Sequence, residues 1–287
     1  MQAYRLDWHT GESRQLTASA QLDAATIAIT NDDRTLFFFD GPSLRRMTLP
    51  NLREREVTRV EDGWIRLPGF TVSLDGSAAA WVEEHDGRSR LRAITSSSAA
   101  ETLAEVTGGL SDPQLRPSHS QVSFRVGTDV RMVDLNGQSN RRLELAPSAS
   151  TGQVLWSPSG ETLLYLSTPT DPKQLTMLRE YAPEEGTDKL VAKTSQFASF
   201  GINGDSSVFV GASRSLASPY VLLLLRVARR ELTLCEHRSS NPAMVAPVFS
   251  PDSQSIFFNS DRNGKPAIYR LHVEKFVEET GDEAQAN

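Results

Sequence analysis

Residues 249–273 read FSPDSQSIFFNSDRNGKPAIYRLHV and contain the clearest structural pattern in the chain. The apolar residue 249 is followed by a turn at 250–253, which leads into the short apolar segment 255–259. A second turn at 261–264 leads into 267–273, where apolar and polar residues alternate. Pro, Asp, Asn and Gly favour tight turns, whereas β-branched and aromatic residues favour strands. The stretch therefore predicts three strands separated by two turns.

Weaker copies of this unit recur through the whole chain. Their turns lie at 29–34, 72–76, 115–119, 156–160, 200–205 and 249–253, and apolar segments follow at 35–39, 78–82, 122–125, 163–167, 207–210 and 255–259. The spacing of about 40–50 residues is typical of propeller blades. A β-sandwich is the alternative, but a sandwich has no reason to repeat one turn signature at a near-constant period. We therefore predict an all-β protein, a β-propeller with six blades and with seven as the alternative.

The two ends of the chain differ in the phase of the repeat. The last copy stops after its third strand at Val273, and residues 4–17 resemble a third and a fourth strand without the first two. We therefore expect an N-terminal strand to complete the last blade and close the ring, which removes exposed sheet edges. Residues 1–273 are predicted to form a single domain. Residues 274–287 are predicted to form an acidic, flexible tail.

Composition narrows the class of protein further. The chain has 287 residues, a net charge of −6 and one cysteine, Cys235, which cannot form an internal disulfide. No run of 18 apolar residues is present, and the N-terminus lacks the pattern of a signal peptide. No basic run is interleaved with aromatic residues. We therefore expect a cytoplasmic protein that binds neither nucleic acid nor a membrane.

The repeated unit resembles the PD40 repeat of TolB-like propellers. A longer resemblance, over nearly the whole chain, is to oligogalacturonate lyases. The segments that carry it are 4–17, 33–49, 112–117, 156–158, 249–251 and 260–269, of which SDRNGKPAIY at 260–269 matches best. The resemblance implies a propeller enzyme of pectin catabolism that cleaves galacturonate disaccharides by β-elimination. This chain lacks most of the first repeat of that family.

The resemblance also implies where a manganese-type ion would bind. The family pattern Gln-x-x-His-x-His-Pro-x-Phe corresponds here to 241–249, which read NPAMVAPVF. Asn241 replaces the glutamine, and Met244 and Ala246 replace the two histidines. Another family histidine has no counterpart in 195–200. A hard or borderline divalent cation needs oxygen or imidazole donors. We therefore predict no metal site and expect no cofactor.

The third repeat offers one catalytic candidate. The resemblance places a histidine at the position of Asp112 and an arginine, the general base of the family, in a region that is shortened here. Arg131 is the best match, and its alternative is an exposed arginine on a third strand. An arginine stays protonated at neutral pH, so it is a poor base when no metal acidifies the substrate proton.

Other residues are candidates for binding an anionic ligand. Trp64, Arg66, Arg116 and Asn241, together with Arg131, lie where loops or inner strands of blades are predicted. Guanidinium groups suit carboxylates, and aromatic rings suit the faces of pyranose sugars. The alternative for each is ordinary packing or solvation.

Three functions are compatible with the sequence. The first is a non-catalytic or altered binding module for an acidic sugar or a partner protein. The second is an active oligogalacturonate lyase with a rearranged site, so that any enzyme activity would be that of a lyase. The third is a TolB-like protein-interaction propeller. Fold and reaction are separable, and most of the matched residues are structural.

Overall fold

The computed structural model describes residues 1–7, 9–96, 99–171 and 173–273. The chain divides into two compact units, Met1–Leu145 and Ala146–Asn287. The predicted tail at 274–287 lies outside the described residues, and the single domain remains a prediction. Within the described part, strands make up the regular structure, together with one-turn 3-10 helices at Ala24–Thr26 and Pro242–Met244.

The first unit contains an N-terminal hairpin and three four-stranded sheets. The hairpin strands are β1 (Tyr4–Leu6) and β2 (Ser13–Gln15). Blade 1 contains β3 (Ala28–Ile29), β4 (Thr35–Asp40), β5 (Ser43–Thr48) and β6 (Arg53–Arg59). Blade 2 contains β7 (Ile65–Val72), β8 (Ala78–His85), β9 (Arg88–Thr95) and β10 (Glu101–Thr107). Blade 3 contains β11 (Leu110–Leu115), β12 (Gln121–Val126), β13 (Asp129–Asp134) and β14 (Arg141–Arg142).

The second unit contains three further sheets. Blade 4 contains β15 (Ser150–Trp156), β16 (Leu163–Thr168), β17 (Met177–Ala182) and β18 (Thr187–Lys193). Blade 5 contains β19 (Phe197–Ile202), β20 (Val208–Ser213), β21 (Tyr220–Leu225) and β22 (Arg230–Glu236). Blade 6 contains β23 (Val248–Phe249), β24 (Ser255–Ser260) and β25 (Ala267–His272).

These six sheets are the blades of a β-propeller, as predicted. In each blade the strands are antiparallel and lie in sequence order. Within each unit the first strands of neighbouring blades contact one another, so they are the inner strands. The second strands are the most buried, which explains why their sequences are continuous apolar runs such as β4, β8 and β20.

One hydrogen-bonded turn connects the first and second strands in five of the six blades. In blade 2, the Ser73 hydroxyl donates to Asp75 at 2.7 Å and accepts from the Ala78 amide at 2.9 Å. The Asp75 carboxylate also accepts from the Ser77 amide at 3.0 Å. Hydrogen bonds from Ser73 and Ser77 lower the pKa of Asp75 to about 2. The turn signature of the repeat is therefore a local side-chain network.

The same positions recur with similar chemistry in the other blades. The residue that accepts the amide of the second strand is Thr30, Ser73, Ser157, Asn203 or Ser250. The residue two positions later is Asp32, Asp75, Ser159, Asp205 or Asp252. The next residue has a positive φ and is Asp33, Gly76, Gly160, Ser206 or Ser253.

In blade 3 this turn has a different first residue and different hydrogen bonds. Arg116 occupies the first position, is 2% exposed and donates through Nη1 to Gln121 Oε1 at 2.7 Å. Gln121 in turn donates to Asp134 at 2.9 Å, and the Arg116 amide donates to the Gln121 carbonyl at 2.9 Å. This candidate for ligand binding therefore lies inside the structural turn of its blade.

The N-terminal strands pair locally, and the pairing of one of them with the last blade remains a prediction. Among the described residues β1 pairs with β2, and the sheet of blade 6 has three strands. The Asp7 carboxylate accepts hydrogen bonds from the amides of His9 and Thr10, and Gly11 has a φ of +74°. A short strand pairs at low entropic cost with a neighbour six residues away in sequence, which favours this local hairpin.

The core of blade 5 depends on a glycine. Gly211 on β20 lies opposite Phe200 in the strand register, and the Phe197 ring lies where a Cβ atom on Gly211 would be. Phe197 is fully buried, so its ring has no free space to move into.

We expect Gly211→Ala to lower the free energy of unfolding by about 1–3 kcal/mol, because the added methyl group overlaps the Phe197 ring. Gly109→Ala is the matched control, since an added Cβ there has open space around it. Urea unfolding followed by tryptophan fluorescence measures both changes. Equal stability of the two variants would contradict this account of the blade 5 core.

Candidate functional site

Each inner strand of blades 2 and 3 is interrupted by a β-bulge. The register shifts between Arg66 and Phe70 in β7 and between Ser111 and Gln114 in β11. A Cβ atom on Gly69 would lie 2.7 Å from Pro113 Cδ, and the Leu115 amide donates to Thr71 Oγ1 at 3.3 Å. β7 and β11 therefore run in the same direction with their bulges side by side. Because bulges redirect side chains, the two adjacent bulges of β7 and β11 are the candidate site of the first unit.

Asp112 is the polar residue at the bulge of β11. Its φ is +51°, and its side chain is 60% exposed. The Arg125 Nε atom on β12 lies 3.0 Å from Asp112 Oδ2, and its side chain is 12% exposed. Burial lowers the pKa of Arg125, and the Asp112 charge raises it. An ion pair thus occupies the position to which the resemblance assigns a histidine.

Arg66 lies at the start of β7 and is committed to structural contacts. It forms an ion pair with Asp23, the N-cap of the 3-10 helix Ala24–Thr26. Its Nη1 donates to the Leu67 carbonyl at 3.0 Å, and its guanidinium lies 5.0 Å from the centre of the Phe39 ring. Burial lowers the pKa of Arg66. The residue connects blade 1 to blade 2.

Trp64 precedes β7, and one face of its ring is covered. The Arg90 guanidinium lies 3.7 Å from the Trp64 ring centre, and the His85 ring lies 5.4 Å away at a tilt. A pyranose cannot stack on the face that Arg90 occupies. The predicted role of Trp64 as a sugar platform is therefore restricted to the opposite face.

Arg90 belongs to a buried ionic network in blade 2. Glu83 is 1% exposed and accepts hydrogen bonds from Trp81 Nε1 at 2.6 Å and Arg90 Nε at 2.8 Å. Glu61 contacts both Arg90 Nη2, at 3.0 Å, and Arg92 Nη2, at 3.1 Å. Removing one member of such a network leaves the opposite charge buried without its partner.

We expect Glu83→Ala to lower the free energy of unfolding by about 3 kcal/mol, because Arg90 loses its buried counter-charge. Glu84→Ala is the matched control, since the next residue on the strand points to the opposite face. Its expected cost is below about 0.5 kcal/mol. Chemical denaturation of both variants measures the difference, and a small effect of Glu83→Ala would exclude a stabilising role for the network.

The sequence candidates of the first unit are not brought together. Arg66 lies at the start of β7, and Arg116 follows the end of the parallel strand β11. The offset is about six residues, or about 20 Å along the strands. Arg131 lies on the third strand of blade 3, where its Nε donates to Asn140 Oδ1 at 3.0 Å and its neighbour across the strands is Arg142. The catalytic role of Arg131 remains a prediction, because the other described candidates do not lie around it.

The residues at the matched metal positions lie in the second unit and do not fit a manganese-type ion. Asn241 is the N-cap of the 3-10 helix Pro242–Met244, and its side-chain oxygen accepts from the Ala243 amide. Met244 is 64% exposed and offers only a thioether, and Ala246 offers no donor. In the part of the chain that the structure describes, no three His, Cys, Asp or Glu side chains are grouped to hold a metal.

The inner strands of blades 4 and 5 are also bulged. The register shifts between Thr151 and Val154 in β15 and between Phe197 and Ser199 in β19. The Gln153 side-chain oxygen at the first bulge accepts from the Phe200 amide at 2.8 Å, which joins the two strands. The bulge is therefore a feature of four inner strands.

One histidine of the second unit was not singled out by the sequence. His237 is fully buried; its Nδ1 accepts from the Ser239 amide at 3.0 Å. Its Nε2 therefore carries the proton and donates to the Ser213 carbonyl at 3.0 Å. Burial is the main cause that lowers the pKa of His237, so the ring is neutral. The sequence gives no signal for this role, because Ser213 lies 24 residues away.

We expect His237 to make folding sensitive to mild acid. Its folded pKa lies below the unfolded value of about 6.5, so its contribution is fully present above that pH and is lost as the pH falls toward the folded pKa. The loss is at most about 1.4 kcal/mol per pH unit. His237→Gln should remove this component. Unfolding free energies of both proteins between pH 5 and pH 8 test this, and parallel pH profiles would contradict it.

The described strands define a class: an all-β protein whose six sheets are arranged as a β-propeller. No protein-family model matches the chain. The chain is 22% identical over 293 residues to an oligogalacturonide lyase of Pectobacterium atrosepticum, which covers 85% of this chain and 75% of the relative. It is 23% identical over 323 residues to an oligogalacturonate lyase of Dickeya dadantii, covering 94% of this chain and 82% of the relative.

The solved structures that resemble this chain also include oligogalacturonate lyases. An oligogalacturonate lyase in complex with manganese superposes with a TM-score of 0.86 at 21% identity, covering 94% of this chain and 82% of the other. The lyase of Vibrio parahaemolyticus gives a TM-score of 0.87 at 22% identity, with 96% and 84% covered. TolB from Acinetobacter baumannii gives a TM-score of 0.56 at 14% identity, with 81% and 59% covered. At these identities the superpositions establish the fold, and the predicted resemblance to oligogalacturonate lyases is confirmed.

Proposed function

We propose that this chain is a lyase-like propeller that binds an acidic sugar without catalysing its metal-assisted elimination. The observation that carries the proposal is the chemistry at Asn241, Met244 and Ala246. One of these side chains caps a 3-10 helix, one offers a thioether, and one has no donor. The single amide oxygen of Asn241, already bonded to the Ala243 amide, does not make a shell for a manganese-type ion. The absence of a cofactor remains a prediction.

The ligand class follows from the inner strands of the first unit. Arg125 lies beside the bulge of β11, and a guanidinium has five N–H donors in a planar fork. That geometry suits the carboxylate of a uronic acid. Asp112 holds the guanidinium in place through the ion pair. The lyase relatives act on oligogalacturonates by name, which makes an oligogalacturonide the first ligand to test.

An active lyase with a rearranged site is the alternative enzyme function. Such a site needs a group that neutralises the substrate carboxylate and a base that removes the neighbouring proton. Arg125 can supply the first of these. Arg131, the candidate base, lies on the third strand of its blade and not on the inner strand. This placement favours binding over elimination.

The cellular setting follows as part of the same proposal. We place the protein in the cytoplasm, with an acidic oligosaccharide or a partner protein as its ligand and without a role in binding nucleic acid or membranes. Among the described residues, no helix has the length and apolar character needed to cross a membrane.

Binding and turnover are separated by one pair of measurements with digalacturonate. We expect saturable heat in a calorimetric titration, and no rise in ultraviolet absorbance from unsaturated product with or without Mn²⁺. Arg125→Gln should weaken binding by at least about 10-fold, because it removes a charge-assisted contact. Arg34→Gln, in an exposed turn, is the control and should bind as the unchanged protein does.

Two results would overturn the proposal. Metal-dependent turnover of digalacturonate would show that the chain is an enzyme and that the matching of residues at 241–246 is wrong. Undiminished binding by Arg125→Gln would place the sugar away from the bulged inner strands.

A further inference from the structure

The hairpin of β5 and β6 in blade 1 separates its charges between its two faces. On one face, Arg45 Nη1 lies 3.4 Å from Glu54 Oε1, and Arg45 Nη2 lies 3.9 Å from Glu56 Oε2. On the other face, Arg46 and Arg55 lie directly opposite each other in the strand register. Neither Arg46 nor Arg55 has an ion pair within the described parts of the chain. Like charges in this position destabilise a sheet.

The two arginines border a cleft between blades 1 and 2. The cleft has a volume of about 230 Å³, and its other wall is formed by the β7–β8 turn and the end of β9, including Ser77 and Ser96. The Phe37 ring forms part of the lining. The Arg46 guanidinium lies 5.6 Å from the centre of that ring, which holds the cation over a buried surface.

Gly76 keeps the cleft narrow. Its φ of +70° suits glycine, and a Cβ atom there would lie 2.7 Å from Thr30 Cγ2 and 3.3 Å from Phe37 Cε2. The turn of blade 2 therefore lies directly against the aromatic wall of blade 1. The cleft depends on this close contact between two neighbouring blades.

We propose that this cleft is a binding site for a phosphate dianion, either inorganic phosphate or the phosphate group of a small monoester. A phosphate group carries about −1.5 to −2 charges at neutral pH, which matches two guanidinium groups better than a single carboxylate does. Glu56 also lines the cleft, but its carboxylate is paired with Arg45. The volume is below the roughly 300–1,000 Å³ of sites for larger ligands, so the ligand is small.

The site is independent of the function proposed above. It uses outer strands of blade 1 and none of the inner-strand residues of blades 2 and 3. A phosphate ligand there would bind regardless of whether an acidic sugar binds at the bulges. Bound phosphate also removes the repulsion between Arg46 and Arg55, so it stabilises the folded protein.

The test is a calorimetric titration of the full chain with inorganic phosphate, at ionic strength matched with chloride. We expect saturable binding at one site. Arg46→Gln and Arg55→Gln should each weaken it by at least about 10-fold. Arg14→Gln is the control, because its side chain is exposed in the N-terminal hairpin and does not line the cleft, and its affinity should stay within about three-fold of the original.

Two further measurements separate lost binding from unfolding and identify the ligand. Without phosphate, Arg55→Gln should melt at a temperature no lower than that of the unchanged protein, because one of two facing charges is removed. Lost binding in that variant then cannot result from unfolding. Titrations with glycerol 3-phosphate and with galacturonate identify the ligand. Tighter binding of glycerol 3-phosphate would indicate a phosphate monoester, and tighter binding of free phosphate would indicate inorganic phosphate. Either result supports the site.

Three outcomes would overturn the inference. The first is an electrolyte effect only, with no saturable heat above the chloride control. The second is equal loss of affinity in Arg14→Gln and in the two cleft variants. The third is tighter binding of galacturonate than of either phosphate ligand at the same residues.

Discussion

The turn between the first and second strands of a blade is the local constraint on which the rest of the structure depends. In blade 2, Ser73 and Asp75 hold this turn with hydrogen bonds of 2.7–3.0 Å to each other and to the following amides. Each turn brings the first strand and the buried second strand of its blade into antiparallel register. This geometry recurs in five of the six blades, and the inner strands of neighbouring blades come together within each unit.

This repeated framework leaves the bulged inner strands free to change. Bulges in four inner strands shift the register locally and redirect a small number of side chains. At the β11 bulge this chain has the Asp112–Arg125 ion pair. At the matched metal positions it has Asn241, Met244 and Ala246. The fold of the lyase relatives is thus retained, whereas the donors that the resemblance assigns to a metal are not.

Arginine has three different environments in this protein. Arg90 is buried in a network with Glu83, where its charge is neutralised and its role is structural. Arg125 is mostly buried but paired with an exposed carboxylate beside the inner strands. Arg46 faces Arg55 across two strands without a counter-charge from the described residues. An external anion would therefore gain a favourable interaction with Arg125 or with Arg46, but not with the neutralised Arg90.

The sequence alone determined the strands, the turns and the six-bladed propeller, because each turn is stabilised by residues within about six positions of one another. The replacement of the two matched histidines by Met244 and Ala246 was also visible in the residue types. The tertiary structure decided the rest. It showed that Arg116 replaces the usual turn residue, that Trp64 is covered by Arg90, and that the N-terminal strands pair with each other. These contacts join residues from different strands, and their partners depend on register and packing that no single segment specifies.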